Sequence, residues 1–227
     1  MAPAYQIIII LIFLLVLPGV NLAEEHVKPE NCEIIIDDFS KGIGPGWSKK
    51  SFSGETQYSV IQDEGQPYLR ATSNGTASAL YYKIEYDPRE YPYIVWKWEV
   101  DNIIEKGDAT QKSGDDYAAR LFVVFPSSFF VRTQTLNYIW ANKLPKDSSI
   151  LCPYMDNNIM VSVQSGPAKT GKWLAESRNI YEDYTKYFGR QPEKVGAIAI
   201  MTDTDDTQEK ASARYGTIAI CRKDPQK

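Results

Sequence analysis

Nine stretches of this chain alternate apolar and polar residues with a period of two, and that pattern leaves little besides a β-sheet protein. They cover 33–39, 67–72, 77–86, 93–101, 117–125, 158–165, 172–180, 195–203 and 214–222. A two-residue period sends successive side chains to opposite faces of a strand. Turn-forming clusters fall between them: Gly42-Ile43-Gly44-Pro45-Gly46, Ser73-Asn74-Gly75, Asp87-Pro88 and Gly166-Pro167. Only 181–188 reads as a helix, with Tyr181, Tyr184 and Phe188 along one face and Gly189 as its cap. Many short strands in one domain of this size predict an all-β fold, a jelly-roll sandwich of two antiparallel sheets with one short helix. Two connections, 102–116 and 142–157, are longer than hairpins need and are candidate binding loops.

The first residues set a compartment. Ile7 to Val16 is an unbroken apolar run, followed by Pro18-Gly19 and the small residue Ala23. Such a run is short for a bilayer span and fits the core of a secretory signal. The expected organisation is a signal peptide over 1–23 and one sandwich domain over 24–227, periplasmic or secreted, with no membrane span after cleavage. No basic residue precedes the run and Asn21 sits poorly before a cut after Ala23, so an uncleaved anchor is the alternative.

Three cysteines in an exported chain invite one disulfide. Cys32 precedes the first strand and Cys221 closes the last, so pairing of the terminal strands would let these two bridge. Cys152 would then stay free, and three separate thiols is the alternative. The net charge of −4 is mild and no Lys/Arg stripe is present, which argues against nucleic acid as a partner. The one histidine, His26, lies outside every strand, which excludes imidazole-based catalysis and a His-based zinc site inside the fold. No glycine-rich phosphate loop follows a strand and opens a helix.

Carboxylates and arginines remain. In GDDYAAR, Asp116 and Arg120 precede an apolar run, and strand parity puts them opposite a core face of Tyr117, Ala119, Leu121, Val123 and Phe125. Lys97 and Glu99 alternate with Trp96 and Trp98, Glu176 and Arg178 share one side of their strand, and Asp203 emerges at a strand end. Taken together, Lys97, Glu99, Asp116, Arg120, Glu176 and Arg178 are expected on the outer face of a sheet. That face is read as a ligand cleft or as a buried ion-pair network. The turn MTDTDDT offers hard oxygen ligands from Asp203, Asp205 and Asp206 suited to Ca²⁺, though its spacing is not that of an EF-hand; a self-bonded Asx turn is the alternative. No other cofactor is implied. Trp47 and Trp173 lie where an indole could stack on a sugar ring.

The ordered set GDDYAAR, Asn137-Tyr138-Ile139-Trp140-Ala141, Ser165-Gly166, ESRNIYEDY, Phe188-Gly189 and MTDTDDT resembles a family of exported bacterial proteins known only as a domain of unknown function. The likeness runs from Phe39 to Ile220 and brings no activity with it. More distantly, Asp38-Phe39, Trp47, Tyr68-Leu69-Arg70-Ala71 and Tyr93-Ile94-Val95-Trp96 resemble galactose-binding-like and carbohydrate-binding jelly rolls. The expected function is a carbohydrate-binding-like module for an oligo- or polysaccharide, held by Asp116, Arg120, Glu176, Arg178 and Asp203. Two alternatives are a carboxylate-dependent glycan hydrolase or lyase, and a structural or protein-binding envelope module with no small ligand.

Overall fold

A computed structural model describes residues 32–62, 66–127 and 132–225. The expected signal peptide over 1–23 lies outside these residues. Among them thirteen strands and one α-helix form two packed sheets. The strands are β1 (Ile34–Asp37), β2 (Trp47–Ser53), β3 (Gln57–Ile61), β4 (Tyr68–Asn74), β5 (Ala77–Tyr86), β6 (Tyr93–Val100) and β7 (Arg120–Phe125). They continue with β8 (Gln134–Ala141), β9 (Ser149–Cys152), β10 (Met155–Ser165), β11 (Leu174–Asn179), β12 (Val195–Asp203) and β13 (Lys210–Cys221). The six-stranded sheet runs β11-β6-β13-β4-β3, with β1 also paired to β13, and the seven-stranded sheet runs β2-β5-β12-β7-β8-β10-β9. The all-β sandwich with one short α-helix is as expected. One ladder departs from it, since β8 and β10 pair in parallel.

The core lies between the sheets and is built by strand alternation. Ile94, Trp96, Trp98 and Val100 of β6 face Leu121, Val123 and Phe125 of β7 and Leu136, Tyr138 and Trp140 of β8. Trp96 stacks on Tyr138 with ring centroids 5.4 Å apart, and Trp98 lies 6.0 Å from Trp140. Helix α1 (Ile180–Phe188) begins where Asn179 accepts a hydrogen bond from the Glu182 N–H, and ends at Gly189 with φ 68°. Asparagine is a preferred N-cap, and glycine adopts this left-handed conformation without a steric penalty. Its buried Tyr184 packs on Phe125 at 4.5 Å.

β7 starts three residues later than its alternation predicts. Residues 115–119 are irregular, and Tyr117 joins Ile139, Met160, Ala109 and Cys152 in a second apolar cluster away from the main core. β2, β3, β8 and β9 were absent from the alternating stretches. β2 is exposed over six of its seven residues and carries little apolar signal. In β8, Asn137 interrupts the outer row yet is wholly buried, because loops cover that face.

Cys32 and Cys221 form the expected disulfide, spanning 189 positions of sequence, and Cys152 is free and buried. The bridge fits an oxidising compartment. No helix among the described residues is long and apolar enough to cross a membrane. Replacing Cys32 and Cys221 together with serine should cost about 2–4 kcal/mol. In a domain of this length that lowers the melting midpoint by roughly 5–15 °C. Cys152→Ser should move it far less, and scanning calorimetry of both variants checks the contrast.

Candidate functional sites

Arg120 opens β7 on the outer face of the seven-stranded sheet, with Met201 of β12 and Ile139 of β8 as cross-strand neighbours. Asp203, two residues past Met201, therefore meets Arg120 on the same face. Nε donates to Asp203 Oδ1 at 2.9 Å and Nη2 to Oδ2 at 2.6 Å, a bidentate fork that matches guanidinium and carboxylate geometry. Nη2 also donates to the Asp115 carbonyl oxygen, and the guanidinium lies 4.3 Å from the centre of the Tyr117 ring. Arg120 and Asp203 are 4% and 3% exposed. Burial pushes the Asp203 carboxyl up and Arg120 opposes it. Burial alone would lower the Arg120 pKa, but Asp203 and Asp115 raise it more, so the side chain stays a cation.

The two acidic motifs close over this pair. The Asp116 carboxylate accepts from the Asp206 N–H at 3.3 Å and the Thr207 N–H at 2.6 Å, which fixes the turn after β12. Asn142 donates its Nδ2–H to the Asp116 carbonyl at 2.7 Å and accepts from the Ile104 N–H at 2.9 Å, tying in both long loops. Carboxylate oxygens of Asp116, Asp203 and Asp205 lie within 4.8 Å of one another. Asp206, paired in the sequence reading with Asp203 and Asp205, instead accepts from the Tyr154 hydroxyl at 2.6 Å. Burial, followed by repulsion from Asp116 and Asp206, raises the Asp205 carboxyl.

The six charges expected on one outer face occupy three places. Asp116 and Arg120 belong to the buried network just described. Lys97 and Glu99 alternate with core residues on β6 and face outward from the other sheet. Glu176 and Arg178 pair in register with Trp96 and Ile94, which are core residues, so they point inward from the edge strand β11. There Glu176 Oε1 accepts from Gln164 Nε2 at 2.8 Å and from Trp98 Nε1 at 3.2 Å. Arg178 forks onto Asp183 at 2.9 and 2.6 Å, and Asp183 also accepts from the Tyr138 hydroxyl at 2.8 Å. Burial raises the Glu176 carboxyl against the two hydrogen bonds that lower it.

A third arrangement, unmarked by any sequence motif, occupies the outer face of the six-stranded sheet. Of the five tryptophans only Trp173 is exposed, at 39%; Trp47 is 8% exposed and donates Nε1–H to Asp37 at 2.8 Å. The Trp173 ring passes over Gly216, where a Cβ would come within 3.4 Å of it. Tyr68 meets Trp173 edge-on at 5.8 Å, and the Arg214 guanidinium lies 5.7 Å from the centre of the Tyr68 ring. Arg214 is held by Glu99 and Asp101, and Arg70 lies 3.3 Å from the other oxygen of Asp101. Register places Arg70, Arg214 and Glu99 side by side across β4, β13 and β6. Trp173 was legible as an exposed candidate; its partners come from strands whose pairing the sequence does not encode locally.

The profile of the family described as Protein of unknown function (DUF3047) matches residues 45–219. No curated protein matches the chain in sequence. A family 30 carbohydrate-binding module of a Clostridium thermocellum cellulosomal cellulase is similar at 10% identity, covering 84% of this chain and 98% of that one with a TM-score of 0.49. A family 11 carbohydrate-binding module from the same organism, in complex with a mixed-linked β-1,3-1,4 tetrasaccharide, shows 10% identity, 83% and 94% coverage and a TM-score of 0.42. The cellulose induced protein Cip1 shows 8% identity, 82% and 96% coverage and a TM-score of 0.44.

Two measurements follow from the geometry. Arg120→Ala leaves Asp203 buried without its partner, which costs about 3–5 kcal/mol; urea unfolding should show that loss. For Glu176, the folded pKa stands above its unfolded value, so the ionised form is penalised in the fold above that pKa, and the penalty vanishes below about pH 4.3. Glu176→Gln keeps an oxygen for Gln164 and Trp98 without the charge. It should therefore be more stable than the parent at pH 7, and the gap should close as the pH falls to 4.

Proposed function

The chain belongs to the DUF3047 family of proteins of unknown function, and we propose that it is a carbohydrate-binding β-sandwich module whose ligand lies across the outer face of the six-stranded sheet. The observation that carries this reading is Trp173, the exposed tryptophan, laid over Gly216 beside Tyr68 and bordered by Arg70, Arg214 and Asp101. An aromatic face offers a sugar ring an apolar platform, and forked arginines offer donors to its hydroxyl oxygens. Thr72, Ser59 and Gln57, exposed on the same face of β4 and β3, add hydroxyl and amide groups at its margin.

Binding is favoured over cleavage on this face. Glycoside hydrolysis needs two carboxyl groups flanking the bond, free to exchange protons. Glu99 and Asp101 are both committed to Arg214, and Asp101 to Arg70 as well. Asp116, Arg120 and Asp203 support the fold in this reading, their buried groups already paired to one another and to backbone. The disulfide, together with the apolar run at residues 7–16, supports a periplasmic or secreted setting.

The test is isothermal titration of the purified protein against neutral and acidic oligosaccharides, with tryptophan fluorescence as a second readout. Trp173→Ala should weaken binding at least tenfold, about 1.4 kcal/mol, with an unchanged melting midpoint. Binding that survives intact in Trp173→Ala would move the site off this face. A chain that binds no glycan but recovers a stable protein partner would favour the envelope-module alternative.

A further inference from the structure

We infer that the saccharide taken by the six-stranded sheet is acidic: a chain of sugar units bearing carboxylate or sulfate groups, with one ring on Trp173 and its anionic group between Lys97 and the arginine row. The inference rests on the carbohydrate-binding reading of this face and names the ligand class for it. A Cβ added to Gly216 would lie 3.1 Å from the Lys97 Cβ and 3.4 Å from the Trp173 ring, so lysine and indole leave the sheet side by side. Two residues along, about 7 Å away, Arg70, Arg214 and Glu99 form the next row across β4, β13 and β6. The indole is therefore bordered by cations on two sides.

The polar groups beside the ring are donors without matching acceptors. Lys97 is half-buried, and among the described residues its ammonium meets no acid. The Arg70 guanidinium reaches protein through Nη2 alone, 3.3 Å from Asp101 Oδ2. Arg214 Nε–H is shielded from solvent and has no acceptor. The two acids are already committed, the buried Glu99 to Arg214, and Asp101 to Arg214 and Arg70. A sugar hydroxyl both donates and accepts, so a neutral ring would find few partners here for its hydrogens. Carboxylate and sulfate oxygens only accept, and ammonium and guanidinium serve them as charge-assisted donors.

The positive row extends past the ring. Lys210, exposed and on the same face of β13 as Arg214, stands roughly 20 Å along the strand from Gly216. Among the described residues its ammonium meets no acid either. A single sugar cannot reach from Trp173 to Lys210, whereas a chain of several acidic units passes Lys97, the arginines and Lys210 in turn.

The experiment titrates the purified protein calorimetrically with oligosaccharides of glucuronate, galacturonate and mannuronate, each beside its carboxyl-reduced neutral form. A sulfated oligosaccharide is run beside its desulfated form. At least one acidic member should bind tenfold or more tighter than its neutral counterpart. Preference within a uronate pair assigns the anion as carboxylate, and preference within the sulfated pair assigns it as sulfate. Raising NaCl from about 0.1 to 1 M should weaken the acidic ligand at least threefold, since the screening length falls from about 10 to about 3 Å. Lys97→Gln should keep the parent's melting midpoint and lower the acid-to-neutral affinity ratio at least fivefold. The inference fails, with the platform left standing, if neutral forms bind through Trp173 as tightly as acidic ones. It fails equally if salt leaves the acidic ligand's affinity unchanged, or if Lys97→Gln leaves the ratio where it was. If no saccharide of either kind binds, or if Trp173→Ala binds as the parent does, the carbohydrate reading of this face has failed and this inference falls with it.

Discussion

A guanidinium buried to 4% exposure must have its donors met by protein, and that requirement at Arg120 organises one whole side of the sandwich. The side chain leaves the start of β7 on a face that should meet water, so something must cover it and answer its charge. Asp203 supplies the fork from the end of β12, Asp115 a backbone oxygen, and Tyr117 an aromatic face. Once these are placed, residues 115–119 cannot continue β7, and Tyr117 drops into the second cluster with Ile139 and Met160. Asp116 and Asn142 then draw the 203–207 turn and both long loops onto the same surface. The charges provide specificity of placement more than net stability, since a buried pair gains little over an apolar packing of equal shape.

Strand parity was legible, and its conversion into faces was not. Leu174, Glu176, Arg178 and Ile180 do share one side, as alternation requires, yet that side is the inner one. The inference from charge to solvent failed because β11 is an edge strand, where inward-facing side chains can hold their polar ends at the rim while Leu174 and Ile180 meet the core. Leu174 and Ile180 were the signal that outweighed two charges. The opposite failure occurs at Asn137, a polar residue on an outer row whose face is roofed by loops. Local sequence reports alternation; it says little about which sheet face another segment will cover.

The molecule divides its labour between two faces. Around Arg120 on the seven-stranded sheet, acids and arginine are consumed in mutual contacts, and Asp116, Arg120 and Asp203 are shut off from solvent. On the six-stranded sheet, Arg70 and Arg214 are held by acids but remain 42% and 28% exposed at their side chains, next to Trp173 and Tyr68. The same residue types thus serve cohesion in one place and presentation in the other, and the difference is set by cover. Gly216 is the small feature that permits the second arrangement, because any side chain there would crowd the Trp173 ring and the Lys97 Cβ at 3.1 Å.

The bond between Cys32 and Cys221 joins a residue two positions before β1 to the last residue of β13. Tension entering through chain on either side of that pair travels across the covalent link, and none of it shears the ladders enclosed between. The sandwich is thereby mechanically bypassed: a tether pulled at both ends would stretch its flanks while the folded body stayed unloaded, until the link was reduced.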